Sequence, residues 1–79
     1  TTLAAVRGLG DVYKRQLWFY RRISEEAPSW LKDGGWILYE IGHSQSARVE
    51  AFLRDAGFAG VRTVKDLTGL DRVVLGQKM

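Results

Sequence analysis

Glu40, Gly42, His43 and Gln45 fall within six residues and include a carboxylate, an imidazole, a primary amide and a glycine. Glu40 is the one charge in the apolar run Trp36-Ile37-Leu38-Tyr39-Glu40-Ile41. If that run is a strand, the four residues lie at its C-terminal end, the edge where open α/β sheets collect ligands. A role beside a substrate, or behind the groups that touch one, is therefore assigned to Glu40, Gly42, His43 and Gln45. The alternative is that Glu40 pairs with a base elsewhere and that Gln45 shapes its loop. His43 stands next to Ser44 and near Ser46, but no acid is placed by sequence to orient it, so a nucleophilic triad is not indicated. With one histidine and no cysteine, a metal site would need carboxylates at spacings the chain does not show, and none is assigned.

Other residues with chemical potential read more simply as structure. Gly8-x-Gly10 has the outline of a phosphate-cradling turn, but no clear strand precedes it and no helix clearly opens after it. Trp18, Trp30 and Trp36 could stack on nucleobases; core or interface packing explains them more simply. Arg21 and Arg22 could grip a phosphate, yet Glu25 and Glu26 follow each at four residues, which suits a solvated helix face.

The elements that would position these residues follow from periodicity. Tyr20, Ile23, Ala27 and Trp30/Leu31 recur at helical spacing opposite the charged residues, and Asp33-Gly34-Gly35 ends that helix after Pro28 has interrupted it. Trp36–Ile41 reads as a strand buried on both faces. A loop over 42–46 follows, with Ser44 or Ser46 available as a helix cap. Val49, Phe52, Leu53 and Ala56 then form the stripe of a second helix, which Gly57 stops. Val61–Leu67 reads as an edge strand and Arg72–Leu75 as a second strand returning beside it. A strand, a crossover helix and a closing hairpin imply a mixed α/β sheet, with Arg72–Leu75 in the gap and antiparallel to both neighbours. Arg72 is placed to pair with Asp66 across the hairpin.

The net charge of +3 and pI near 9.6 invite a nucleic-acid reading. That reading weakens once the charge is placed. Residues 1–16 hold Arg7, Lys14 and Arg15 against Asp11, leaving nine basic and eight acidic residues in 17–79. No run is long enough to span a bilayer and no secretory leader is visible, so a cytoplasmic protein is expected. Residues 1–16 are set apart from the fold as a non-native or disordered extension. The string 5–16, ending Asp-Val-Tyr-Lys-Arg-Gln, resembles the translation of sequencing-adapter DNA.

Residues 17–79 resemble the C-terminal part of class I methyltransferases, which end in such a hairpin on a Rossmann-like sheet. Within that class they resemble release factor glutamine methyltransferases (the HemK/PrmC type). The matching stretches are Phe19-Tyr20-Arg21-Arg22-Ile23, Glu26-Ala27-Pro28 and Leu31-Lys32-x-Gly34-Gly35-Trp36. Glu40-Ile41-Gly42 with Gln45, Ala56-Gly57-Phe58, Val64-Lys65-Asp66-Leu67 with Gly69, and Asp71-Arg72-Val73-Val74 continue the pattern in register. His43 and Ser46 depart from it, the family usually having an aromatic or apolar residue and a glycine there. The resemblance implies methyl transfer from S-adenosylmethionine to the glutamine of the Gly-Gly-Gln loop of peptide chain release factors. It also implies a glycine-rich cofactor turn and an Asn-Pro-Pro-Tyr motif, neither of which is in the sequence. The expectation is thus a piece of such an enzyme: inactive alone, with the cofactor bound by the missing N-terminal part and no catalytic or cofactor-binding residue of its own. The alternatives are a piece of another class I methyltransferase, acting on ribosomal protein, nucleic acid or a small molecule, or a small basic RNA-binding module. On this reading Trp36–Ile41 lacks a partner strand and would leave an apolar edge facing water, so a marginal or molten chain is expected.

Overall fold

The computed structural model describes residues 1–7, 13–42 and 44–79, with nothing taken from the side chains of residues 13–16. The elements run β1 (Leu3–Arg7), α1 (Tyr13–Glu26), a 3-10 turn (Ala27–Ser29), β2 (Trp36–Glu40), α2 (Ser46–Asp55), β3 (Ala59–Lys65) and β4 (Asp71–Gln77). They build one mixed sheet in the order β1-β2-β4-β3.

The apolar run becomes β2 as expected, and β4 lies between β2 and β3, antiparallel to both. Tyr39 faces Val74 in the β2–β4 register, and Leu75 faces Arg62 across the β3–β4 hairpin. β3 is an edge strand, and its exposed Arg62, Val64 and Lys65 suit that position. α2 stops where Gly57 takes φ +92°, a conformation that costs glycine little. Pro28 sits in the first turn of the 3-10 segment, where its missing N–H leaves no bond unmade.

Three expectations are corrected. The first concerns the flank of β2. Leu3–Arg7 pairs with it in parallel, Leu3 opposite Trp36 through Arg7 opposite Glu40, so β2 has neighbours on both sides. Backbone hydrogen bonds from Lys32 N to Thr1 O (2.7 Å) and from Trp36 N to Thr2 O (2.9 Å) extend the junction. Residues 3–7 are thus part of the sheet and Tyr13–Gln16 open α1, rather than all of 1–16 standing apart. Among the described residues, β1 and β3 are the outer strands of the sheet.

The second correction concerns burial. Ile37, Tyr39 and Ile41 are buried on the face that carries the helices, whereas Trp36, Leu38 and Glu40 on the other face are only partly covered. β2 is therefore buried on one face, not two. The third concerns Trp18 and Trp30, for which core or interface packing was expected: they are about half exposed (55% and 43%), so the core alternative does not hold for them. Trp18 meets the Phe19 ring edge-on at 5.4 Å, and Trp36 lies under the Arg62 guanidinium at 5.7 Å.

The core is formed by Leu17, Tyr20, Ala27 and Leu31 from the α1 region, Ile37, Tyr39 and Ile41 from the β2 region, Val49 and Leu53 of α2, and Phe58 and Val74. Helix and sheet meet closely at Gly76, where a β-carbon would lie 3.2 Å from Phe58 Cβ and 3.4 Å from Leu53 Cδ1. No helix among the described residues is long and apolar enough to cross a membrane.

Candidate functional site

The C-terminal ends of β1 and β2 lie beside the connection 41–45, the start of β4 and the hairpin turn over 66–70. Ile41 N donates to Arg72 O at 2.9 Å, fixing the loop to β4. The Ser46 hydroxyl donates to Asp71 Oδ2 at 2.6 Å, and Lys65 Nζ reaches Asp71 Oδ1 at 3.1 Å. Ser46 therefore ties α2 to the hairpin instead of capping its own helix. Gln45 occupies the cap position and makes no side-chain cap bond.

Three of the four residues singled out from the sequence come together here. The Gln45 amide turns inward, 3% exposed, and its Oε1 accepts the Gly42 N–H at 3.1 Å. The Gln45 N–H in turn donates to Gly42 O at 3.0 Å. A β-carbon on Gly42 would lie 3.4 Å from that amide oxygen, so glycine suits the close approach. Glu40 is partly exposed and accepts from Arg7 Nε at 3.2 Å, across the register pair joining β1 and β2. His43 lies outside the described residues. Glu40 thus has a base as its partner, and Gln45 bonds within its own loop. Replacing Gln45 with alanine leaves the Gly42 N–H without its acceptor and costs about 1–2 kcal/mol. Urea denaturation, together with faster amide exchange at Gly42, checks this outcome.

Sequence reasoning missed a buried polar chain beneath the site. The Ser24 hydroxyl donates to Tyr20 O and bonds the Tyr39 hydroxyl, both at 2.7 Å. The Tyr20 hydroxyl donates to Glu40 O at 2.7 Å, and the two tyrosine rings lie 5.1 Å apart. This chain ties α1 to the end of β2 and so sets the height of the loop. Burial pushes the Tyr39 phenol up to about 12, the bond to Ser24 pulling the other way. A serine on the apolar stripe, four residues after Tyr20, was the available signal.

The hairpin turn is held by Asp66, whose Oδ1 accepts from the Thr68 hydroxyl (2.6 Å), Thr68 N (2.9 Å) and Leu70 N (3.1 Å). Arg72 Nη2 donates to its other oxygen at 3.0 Å, the pairing expected from the sequence. These donors, the Thr68 hydroxyl foremost and Arg72 next, hold the Asp66 carboxyl well below the usual carboxylate range.

Many of the basic side chains are met by acids. Arg21–Glu25, Arg22–Glu26 and Arg54–Glu50 pair within helices at 3.4, 2.9 and 2.9 Å. Lys78 Nζ donates to the carbonyls of Pro28 (2.5 Å) and Leu31 (2.8 Å), closing the C-terminal end of the helical segment. A cavity of about 140 Å³ lined by Pro28, Phe58, Lys78 and Met79 lies near the opposite edge of the sheet. It is smaller than the roughly 300 Å³ at which ligand pockets begin. Gly8-x-Gly10 lies outside the described residues, although a strand does end at Arg7 and a helix opens at Tyr13, contrary to expectation. A dinucleotide-type fingerprint would need glycine where Tyr13 stands.

No protein-family model matches the chain. Among curated proteins it is similar to the release factor glutamine methyltransferase of Vibrio cholerae, 44% identical over 75 residues. That match covers 95% of this chain and 23% of the relative. Over as many residues, the Pseudomonas aeruginosa enzyme of the same name is 49% identical, with 24% of its length covered. The chain thus spans about a quarter of the length of the curated relatives it matches. Because 75 of 79 residues are matched, the similarity extends into the first sixteen. Among solved structures it resembles the release factor-specific protein-(glutamine-N5) methyltransferase of Alicyclobacillus acidocaldarius, with 38% identity and a TM-score of 0.66. That likeness covers 81% of this chain and 41% of the other. A Thermus thermophilus protein described as a DNA modification methylase shares the fold over 99% of this chain and 44% of its own, with a TM-score of 0.76 at 14% identity. The mixed α/β fold and the resemblance read from the sequence are both borne out.

Proposed function

We propose that this chain is a portion of a release factor glutamine methyltransferase, an enzyme that moves a methyl group from S-adenosylmethionine to the Gly-Gly-Gln glutamine of a peptide chain release factor. The observation that carries the reading is identity of 44–49% across 95% of the chain with enzymes of that name. The half-covered sheet face around Trp36 and Leu38 supports it, since class I sheets carry helices on both faces. An amide nitrogen is a poor nucleophile, so the complete enzyme must hold it in line and shield it from water.

Neither a complete glycine fingerprint nor Asn-Pro-Pro-Tyr is in the sequence, so the motifs that would hold the cofactor are not supplied by these residues. We infer that the chain by itself is inactive. Its own contribution is a loop in which Gln45 holds Gly42, next to Glu40 paired with Arg7, beside which the substrate amide would be presented. Release factor as partner and a cytoplasmic setting belong to this proposal.

The division of the chain is part of the same reading. Residues 17–79 belong to the methyltransferase domain on this reading, and the adapter-like string 5–16 is a non-native stretch whose first residues, Ala5–Arg7, pair with β2 in this chain. Reading the genomic DNA upstream of the Leu17 codon tests both points. The expected result is an in-frame glycine-rich turn and Asn-Pro-Pro-Tyr in place of the adapter-like string. A frame lacking both motifs rejects the enzyme. One that retains 5–16 unchanged rejects the division.

A further inference from the structure

The chain that leaves β2 is tied to the fold at successive points. Ile41 N donates to Arg72 O at 2.9 Å and the Ser46 hydroxyl to Asp71 Oδ2 at 2.6 Å, both toward the start of β4. Gln45 Oε1 takes the Gly42 N–H at 3.1 Å within the connection itself. The tie to α1 differs in kind. The Tyr20 hydroxyl donates to Glu40 O at 2.7 Å, a side chain reaching from the helix to the backbone at the last residue of β2. Tyr20 is 1% exposed, and its ring lies 5.1 Å from that of Tyr39. Ser24 holds the same turn of α1, its hydroxyl donating to Tyr20 O at 2.7 Å. The phenol is thus fixed from behind and aimed at one carbonyl. Phenylalanine would fill the same space, so packing alone does not call for the hydroxyl. What the hydroxyl adds is the placement of Glu40.

We propose that Tyr20 is a positioning residue for methyl transfer: through Glu40 O it sets where the end of β2 stands, and with it the connection beside which the substrate glutamine is presented. This rests on the preceding functional reading. Buried on the helix side of the sheet, Tyr20 acts through the backbone of Glu40 rather than on the substrate. An amide nitrogen attacks weakly, so the rate depends on how it is aligned with the methyl group, and a misplacement of about 1 Å costs up to about a hundredfold. Without the hydroxyl, Glu40 O loses its donor and the end of β2 is free to settle elsewhere. Contacts that only hold the release factor do not pass through that bond. The effect therefore falls on kcat and not on KM.

The test uses the complete enzyme encoded by the gene that contains this segment, with Tyr20→Phe compared with Ile37→Val. The second change thins the core at a fully buried residue of β2 and keeps the Tyr20 bond, so it reports what a loss of stability does by itself. Methylation of an intact release factor is followed at saturating S-adenosylmethionine, at a temperature where urea midpoints show both variants folded. The expected result is a fall of about tenfold in kcat for Tyr20→Phe with KM unchanged, and no change in either constant for Ile37→Val. A Tyr20→Phe enzyme with its kcat intact overturns the positioning role while leaving the enzyme assignment standing. So does an equal fall in kcat for Ile37→Val, or a loss that lies in KM instead. A wild-type enzyme that methylates no release factor overturns both.

Discussion

Replacing Leu53 with alanine will destabilise the chain by about 3–5 kcal/mol, in the upper part of the range for buried leucines. Leu53 is fully buried, and its Cδ1 lies against the backbone of β4 at Gly76. The cost of such a change depends on how far the surroundings can collapse into the space left. Here they have little freedom. β4 is hydrogen-bonded on both sides, to β2 and to β3, so the strand cannot move toward the helix without breaking a ladder. The helix is restrained in turn, by Ser46 on Asp71 at its start and by the Thr63 hydroxyl on Glu50 in its middle. A domain of this size has a total stability on the order of 4–12 kcal/mol, so the variant sits near or below its folding limit at 37 °C. Urea denaturation at 15 °C measures the loss. Leu53→Met, which keeps the volume, should cost less than about 1.5 kcal/mol. Equal losses for both variants would show that shape at this position, and not the cavity, sets the cost.

Raising the pH from 10 to 12 will remove about 2–3 kcal/mol of stability through Tyr39 alone. The folded protein holds this phenol neutral up to about 12, chiefly because it is buried. In the unfolded chain the same phenol ionises near 10. Below pH 10 both states carry a neutral tyrosine and the contribution of the buried group is fully present. Between 10 and 12 only the unfolded chain loses the proton, so each further step in pH favours unfolding. Tyr39→Phe separates this effect from that of the other tyrosines. At pH 8 the variant should be less stable than the parent by about 1 kcal/mol, since the bond to Ser24 is gone. Near pH 12 the order should reverse, because the variant has no phenol to hold neutral. Urea midpoints from pH 8 to 12 test this, and parallel curves that never cross would reject it.

Most of the candidate site was legible as a place and not as an arrangement. The apolar run from Trp36, the glycines at 42 and 57 and the short connection around Gly69 located the loop, the second helix and the hairpin to within a few residues. Those signals are local: a periodicity or a breaker acts on its own turn of chain whatever surrounds it. Arg72 with Asp66 was also readable, because a tight turn leaves two nearby residues little choice of neighbour. Ser46, offered together with Ser44 as a cap, bonds Asp71 instead, a partner 25 residues away that only the crossover brings within reach. The Tyr20–Ser24–Tyr39 chain was missed for the same reason, since a serine on a helix stripe gives no hint of a hydroxyl waiting on a strand.

The amino-acid sequence by itself determined the order of elements from α1 onward, the antiparallel closing hairpin and the kinship with the glutamine methyltransferases, because these rest on patterns that each segment carries alone. The tertiary structure decided that Leu3–Arg7 joins β2, that one face of the sheet is left half covered, and that Gln45 turns inward while Leu67 points out. Each of those outcomes is a competition between distant groups for the same hydrogen bonds and the same apolar surface. Strand pairing across 33 residues and the burial of an amide acquire their free energy only when the whole sheet is assembled, so no window of sequence contains them.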